Sequence, residues 1–249
     1  MSLVLLEETA GVARLTLNHA GRANALTAEL LEDLLAALDR LGTPRALVLA
    51  GAGRNFSTGG DVARFAAEVA AGQGRAYAGR TLDALNAAIL RLAALPCPVI
   101  ARAQGALTGG ALGLVLAADL VVMTPGAFVQ PWYAVVGFAP DGGWTRMMAD
   151  RIGADRVRAL HLLNSRISAA EALSLGLAQA VSDDPDAVVA GWLATLGRHD
   201  AGSMACTKRL LAADLAPALA DERAAFLDRI ETPEVQAGMA RFLGALERA

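Results

Sequence analysis

Two glycine pairs sit where backbone amides can do chemistry. Gly109-Gly110 lies in Gln104-Gly105-Ala106-Leu107-Thr108-Gly109-Gly110-Ala111-Leu112-Gly113-Leu114, after the strand-like run Val99-Ile100-Ala101 and before the helix-like run Leu112 to Ala118. Gly59-Gly60 closes a second loop, Gly51 to Asp61, which follows the strand-like run Ala46–Ala50. Adjacent glycines permit positive φ and let another molecule approach the backbone closely. They also expose the first amides of the following helix, which have no partner inside it. Such amides suit an anion or a developing oxyanion. The plain alternative is a tight strand-to-helix packing turn. The 104–114 stretch is neither a Walker loop, since no Lys-Ser/Thr follows, nor a full dinucleotide fingerprint. If the two preceding strands are neighbours, both loops open at one end of the sheet, where ligands gather in open α/β folds. One amide from each then converges on a single carbonyl oxygen, and losing one such donor costs about 3–4 kcal/mol of transition-state stabilisation.

The elements that must position these loops can be read in order. Leu3–Glu7 and Val12–Leu17 are strand-like runs around a hairpin signal, Thr9-Ala10-Gly11. Thr27 is a good N-cap for a helix with Leu30, Leu31, Leu34, Leu35, Leu38 and Leu41 on one side, ended by Gly42-Thr43-Pro44. Leu82, Leu85, Ile89 and Leu92 mark an amphipathic helix after an Ala/Gly stretch around Gly72–Gly74 that reads as mobile, and Pro96 and Pro98 end it. Leu120–Met123 reads as a strand and residues 127–146 as an irregular segment. Ser168-Ala169-Ala170-Glu171 is a capping box stopped by Gly176, and Ala178–Val181 is a last short strand. The runs 186–197, 202–213, 217–231 and 233–247 read as helices. Strands alternate with helices up to about residue 185 and helices alone follow, which predicts an α/β body over 1–185 and an all-helical region over 186–249.

Composition narrows the function. A chain of 249 residues that is 55% hydrophobic can bury a substantial core, and a net charge of −3 without a Lys/Arg cluster argues against nucleic acid. Cys97 and Cys206 are isolated, and His19, His161 and His199 form no ligand pattern, so no metal is expected. Without a signal-like N-terminus the expectation is a reduced, cytoplasmic chain. The uncharged stretches 103–118 and 120–140 raise the question of a membrane. Asp119 interrupts them, and Pro125, Pro131 and Pro140 break the second as a helix, so they read as buried core.

Five motifs, in order and spread over nearly the whole chain, resemble the enoyl-CoA hydratase/isomerase (crotonase) family. They are Arg22-Ala23-Asn24-Ala25-Leu26, Phe56-Ser57-Thr58-Gly59-Gly60-Asp61, the 104–114 stretch through Asp119, Pro140-Asp141-Gly142-Gly143, and Ser168–Gly176. The resemblance implies a spiral of ββα units with a C-terminal helical trimerisation region, a homotrimer or dimer of trimers, and an acyl-coenzyme A thioester as ligand. Coenzyme A would enter as part of the substrate, with no covalently bound cofactor.

Residue by residue, the resemblance places the two oxyanion amides on Gly60 and Gly110. Ser57 lacks a His in any matching motif to serve as its base. Asp61 reads as a helix cap, and Asp119 and Lys208 as structural. The two glutamates that handle water in the family's hydratases fall on Gly113 and Tyr133, with only Trp132 offered by local realignment; none is an acid. Asp141 occupies a position where several isomerases resembling this chain carry an aspartate. There a single carboxylate can move a proton between two carbons of the acyl chain while the oxyanion hole holds the dienolate. Apolar Phe138, Ala139 and Trp144 would raise its pKa by desolvation. Pro-Asp-Gly is also a turn sequence, so a turn aspartate is the alternative.

For coenzyme binding the resemblance points to Arg22, Ala23, Arg54, Thr58, Gly60 and Phe242. The arginines read equally as solvated loop residues and Phe242 as a helix core position with Leu246. The acyl pocket is expected to draw on Tyr133, Trp132, Gly113 and Trp144, from surroundings at 62–80 and 127–145. The expected reaction is double-bond isomerisation of an enoyl thioester with Asp141 as base. A weak hydratase, a thioester hydrolase or decarboxylase, and an inert CoA-binding homologue are the alternatives.

Overall fold

The computed structural model describes residues 2–211 and 214–248. Strands β1 (Val4–Thr9) and β2 (Val12–Leu17) form the expected hairpin, turning through Ala10 and Gly11 at φ 51° and 76°, the left-handed pair that matches strand twist. Helix α1 (Ala28–Asp39) starts where Thr27 accepts from the Leu30 amide. It buries Leu30, Leu31, Leu34 and Leu38 against the sheet. Strand β3 (Ala46–Gly51) is buried at every position, the pattern of an interior parallel strand. Asp61 caps α2 (Val62–Ala70) by accepting from the Arg64 amide.

Helix α3 runs from Gly74 to Ala94. The Ala/Gly stretch read as mobile therefore ends at the start of this helix. Alanine is a strong helix former, and Tyr77, Ala78 and Thr81 are buried along the added turns. Next come β4 (Val99–Ala103), β5 (Ala106–Thr108), α4 (Ala111–Leu116), β6 (Leu120–Met123), β7 (Phe128–Gln130) and α5 (Tyr133–Val136). The segment 127–146 is thus not wholly irregular. Its strand and helix span three and four residues, too short for periodicity to register. Two helices follow, α6 (Met147–Ile152) and α7 (Ala154–Leu163), then β8 (Ile167–Ser168) and α8 (Ala169–Ser174) behind the Ser168–Glu171 capping box, and β9 (Ala180–Val181).

The last four helices are α9 (Pro185–Leu196), α10 (Ala201–Leu211), α11 (Ala216–Arg229) and α12 (Pro233–Leu246). The final two residues of the 202–213 expectation lie outside the described residues. A six-stranded sheet has the order β1-β2-β3-β4-β6-β9, parallel except for the β1–β2 pair, and a three-stranded sheet has the order β5-β7-β8. Each of β4-β5-α4 and β6-β7-α5 puts its first strand in the larger sheet and its second in the smaller, so successive ββα turns stack into a spiral. The 103–118 stretch is core, as expected, whereas 120–140 alternates buried positions with half-buried ones and is exposed at Pro125, Gly126, Ala134 and Val135; no described helix is long and apolar enough to cross a membrane. Asp119 ties β4 to the helical region: it accepts from the Val99 amide at 2.7 Å and from Lys208 Nζ at 2.8 Å.

Candidate active site

Strands β3 and β4 are parallel neighbours, so the two glycine loops emerge at one end of the sheet. They are fastened together along their length. The Phe56 and Ser57 amides donate to the Gln104 and Ala106 carbonyls, and the Thr108 amide donates back to Ser57. Asn24 Nδ2 donates to the Ala52, Asn55 and Phe56 carbonyls, and Ser57 Oγ donates to Asn24 O at 2.7 Å while accepting from the Gly59 amide. The Ser57 hydroxyl is thereby fully engaged in the loop.

At the point of contact only glycine fits. A Cβ on Gly59 would lie 2.6 Å from the Thr108 carbonyl oxygen and 3.2 Å from Gly109 Cα. Gly60 and Gly110 both line one cavity of about 510 Å³. Neither of their amides donates to an acceptor among the described residues.

Asp141 faces the same cavity and is 9% exposed. Its turn folds over Gly110: a Cβ there would meet Asp141 Oδ1 at 2.6 Å and Leu85 Cδ2 at 2.8 Å. Tyr133, the first residue of α5, is buried and donates its hydroxyl to Asp141 Oδ1. Burial pushes the Asp141 carboxyl up from 3.8 to about 7; the Tyr133 hydrogen bond opposes that rise and the negative charge of Glu222 adds to it. Burial and the neighbouring Asp141 carboxylate hold the Tyr133 phenol well above 10. His161 stacks on Tyr133 with ring centroids 5.5 Å apart, and desolvation lowers its pKa to about 4, so the imidazole is neutral at pH 7.

Glu222 was missed in the sequence. This α11 side chain is 5% exposed and accepts from the Gly143 amide, the Thr145 amide and the Thr145 hydroxyl, clamping the turn that carries Asp141. The available signal was an acid on the apolar stripe between Leu219 and Phe226, both buried.

The structure sorts the remaining expected residues. Arg22, Thr58, Trp132, Tyr133 and Phe242 line the cavity. Arg22 is paired with Asp61, Nη2 to Oδ2 at 2.7 Å, and Phe242 packs edge-on against Trp132 with centroids 5.5 Å apart. Four expected residues do not line it. Gly113 is closed in by the Gly142 backbone and Ile89, so a Cβ there would collide with the Gly142 carbonyl. Trp144 is wholly buried and donates its indole N–H to the Gly109 carbonyl at 2.8 Å, bracing the glycine turn from behind. Arg54 is exposed on the 51–61 loop, and Ala23 takes a left-handed turn whose carbonyl accepts from the Thr58 amide.

A profile described as enoyl-CoA hydratase/isomerase matches residues 7–247. The chain is 35% identical over 185 residues to "Probable enoyl-CoA hydratase EchA14" of Mycobacterium tuberculosis, covering 73% of this chain and 70% of that one. It is 31% identical over 209 residues to the 1,2-epoxyphenylacetyl-CoA isomerase of Escherichia coli K12, covering 80% and 76%. Its fold superposes on an enoyl-CoA hydratase from Bacillus halodurans with a TM-score of 0.90 at 22% identity, over 96% of this chain and 100% of the other. An enoyl-CoA hydratase from Mycobacterium avium subsp. paratuberculosis gives 0.86 at 27% identity, over 96% and 98%. With a family profile matched almost end to end and relatives above 30% identity over most of both chains, this chain belongs to the enoyl-CoA hydratase/isomerase family.

Proposed function

We propose that the protein is an acyl-CoA double-bond isomerase in which Asp141 is the only acid–base residue. The Gly60 and Gly110 amides hold the thioester oxygen. Asp141 removes a proton from C2 of a 3-enoyl thioester, and the negative charge spreads onto that oxygen as a dienolate. Two fixed donors favour this charged state over the ground state. The carboxylic acid so formed returns the proton to C4, giving the 2-enoyl thioester with no net gain or loss of atoms. A carboxyl that titrates near neutrality can both take and give a proton at working pH. Tyr133, held in its protonated form, keeps Oδ1 and leaves Oδ2 to carry the proton.

The observation that carries this reading is that Asp141 is, among the described residues, the one carboxylate lining the cavity that is in no ion pair. Asp61 also reaches it, but is bound to Arg22 and the start of α2. The hydratase positions are occupied by Gly113, which has no room for an acid, and by Tyr133. The name of the Escherichia coli relative, 1,2-epoxyphenylacetyl-CoA isomerase, is that of an isomerase acting on an epoxide, which is compatible with isomerase chemistry on this fold without specifying a double-bond shift. Incubation with a 3-enoyl-CoA and, separately, a 2-enoyl-CoA tests it by product mass. The expected product of the first is an isomer of unchanged mass. Water addition to the second as the faster reaction would return the protein to the hydratases.

Arg22, Thr58 and Phe242 contact the coenzyme portion in this proposal, and coenzyme A is present only as part of the substrate. The assembly we propose is a homotrimer or dimer of trimers formed through the C-terminal helices, in the cytoplasm. Leu210 and Leu211 of α10 and Leu246 of α12 are 71%, 79% and 59% exposed, apolar surface that a second subunit would cover.

A further inference from the structure

The cavity lining is 28 residues, about a ninth of the chain. Yet seven of the chain's eleven aromatic residues are in it. Phe65, Phe138 and Phe226 form one cluster, with centroids 4.8 to 5.7 Å apart. Trp132 and Phe242 form a second. Tyr133 holds the Asp141 carboxyl, and the Phe128 ring carries the Arg166 guanidinium 3.5 Å from its centroid. These rings come from α2, β7, α5, α11, α12 and the connections beside α5, so no single element's periodicity gathers them.

Trp132 is held at φ 62° by the Asn164 carboxamide, whose oxygen accepts its amide N–H at 2.8 Å. A bulky residue in the left-handed region is uncommon and costs energy that its surroundings must supply. Here the result is an indole placed on the cavity.

Phe242 is left to the coenzyme; a linear acyl chain bound against Trp132 and the Phe65–Phe138–Phe226 cluster gains mainly from buried area and must order its rotors. A ring buries similar area with fewer rotors to order and adds offset and edge-to-face contacts. Phe138 and Trp132 line the same cavity as Asp141, and Trp132 adjoins Tyr133, whose hydroxyl holds that carboxyl, so aromatic walls share the cavity with the proposed base. We infer that the cavity selects acyl groups bearing a six-membered ring, aromatic or alicyclic, close to the thioester carbonyl. This rests on the acyl-CoA reading above.

The test is calorimetric binding of phenylacetyl-CoA and octanoyl-CoA to the full-length protein. The two have the same number of acyl carbons and neither can be isomerised, so the readout does not depend on turnover. Phenylacetyl-CoA is expected to bind at least about tenfold more tightly. In Trp132→Leu and Phe138→Leu proteins that melt like the parent, the ratio is expected to shrink severalfold. Octanoyl-CoA binding within tenfold of phenylacetyl-CoA, or tighter, overturns the ring inference and leaves the acyl-CoA reading standing. Binding of neither overturns both.

Discussion

The Tyr133 hydroxyl donates at 2.5 Å to Oδ1 of Asp141, and that same oxygen lies 2.6 Å from where a Cβ on Gly110 would stand. One carboxyl oxygen is therefore pinned between a phenol and a glycine turn. This explains how a largely buried acid stays oriented and why its pKa settles near neutrality rather than higher: burial drives it up and the hydrogen bond draws it back.

Replacing Tyr133 by Phe removes the hydrogen bond that favours the charged carboxylate. The Asp141 pKa then rises, and the limb on which kcat/KM increases with pH moves to higher pH by about one unit. Turnover at pH 7 falls roughly fivefold, as the ionised fraction drops from about one half to about one tenth, and recovers in more alkaline buffer. A pH–rate profile of the variant checks this; a limb that stays in place would remove Tyr133 from the account.

Glu222→Gln acts in the opposite direction. Its charge raises the Asp141 pKa, so neutralising it moves the same limb to lower pH. The Gly143 and Thr145 donors lose a charged acceptor, a loss of roughly 2–3 kcal/mol of stability. Urea unfolding at pH 7 reads the second effect, and the pH profile reads the first.

Asp141→Asn should be more stable than the parent at high pH. The folded pKa of Asp141 is raised, from 3.8 to about 7, so its contribution to stability is complete below pH 4 and is lost as pH rises through 7. Asparagine mimics the neutral acid and escapes that loss. The stability difference between variant and parent should grow between pH 4 and 8, toward an upper value of about 4 kcal/mol. A difference independent of pH would mean that the carboxyl is not titrating where its burial places it.

Gly113→Glu will not restore a hydratase. Its Cβ collides with the Gly142 carbonyl and Ile89, and forcing atoms into a filled site typically costs about 1–3 kcal/mol. The expected variant melts lower and gains no hydration of 2-enoyl-CoA. A stable variant that hydrates would contradict the packing described here.

The parts of the site that were legible in the sequence are local. Gly59-Gly60 and Gly109-Gly110 announce themselves as adjacent pairs between strand and helix. Thr27, Asp61 and Ser168 are caps because each accepts from an amide three residues on. What was not legible depends on directions set by tertiary packing. Tyr133 meets Asp141 because α5 is entered through a left-handed Trp132 and left through Gly137 at φ 96°, angles that no apolar pattern encodes. Trp144 points into the core and Asp141 toward the cavity because Gly142 and Gly143, at φ 65° and 85°, reverse the chain between them. Glu222 reaches the turn from 79 residues away, across a contact with no local signature.

The central claim is that one carboxylate moves the proton. The measurement that tests it most directly is the initial rate of 3-enoyl-CoA to 2-enoyl-CoA conversion by Asp141→Asn beside the parent protein, at matched thioester saturation. The predicted result is a fall of about 10²–10⁴-fold with thioester binding retained. Turnover equal to the parent's would contradict it.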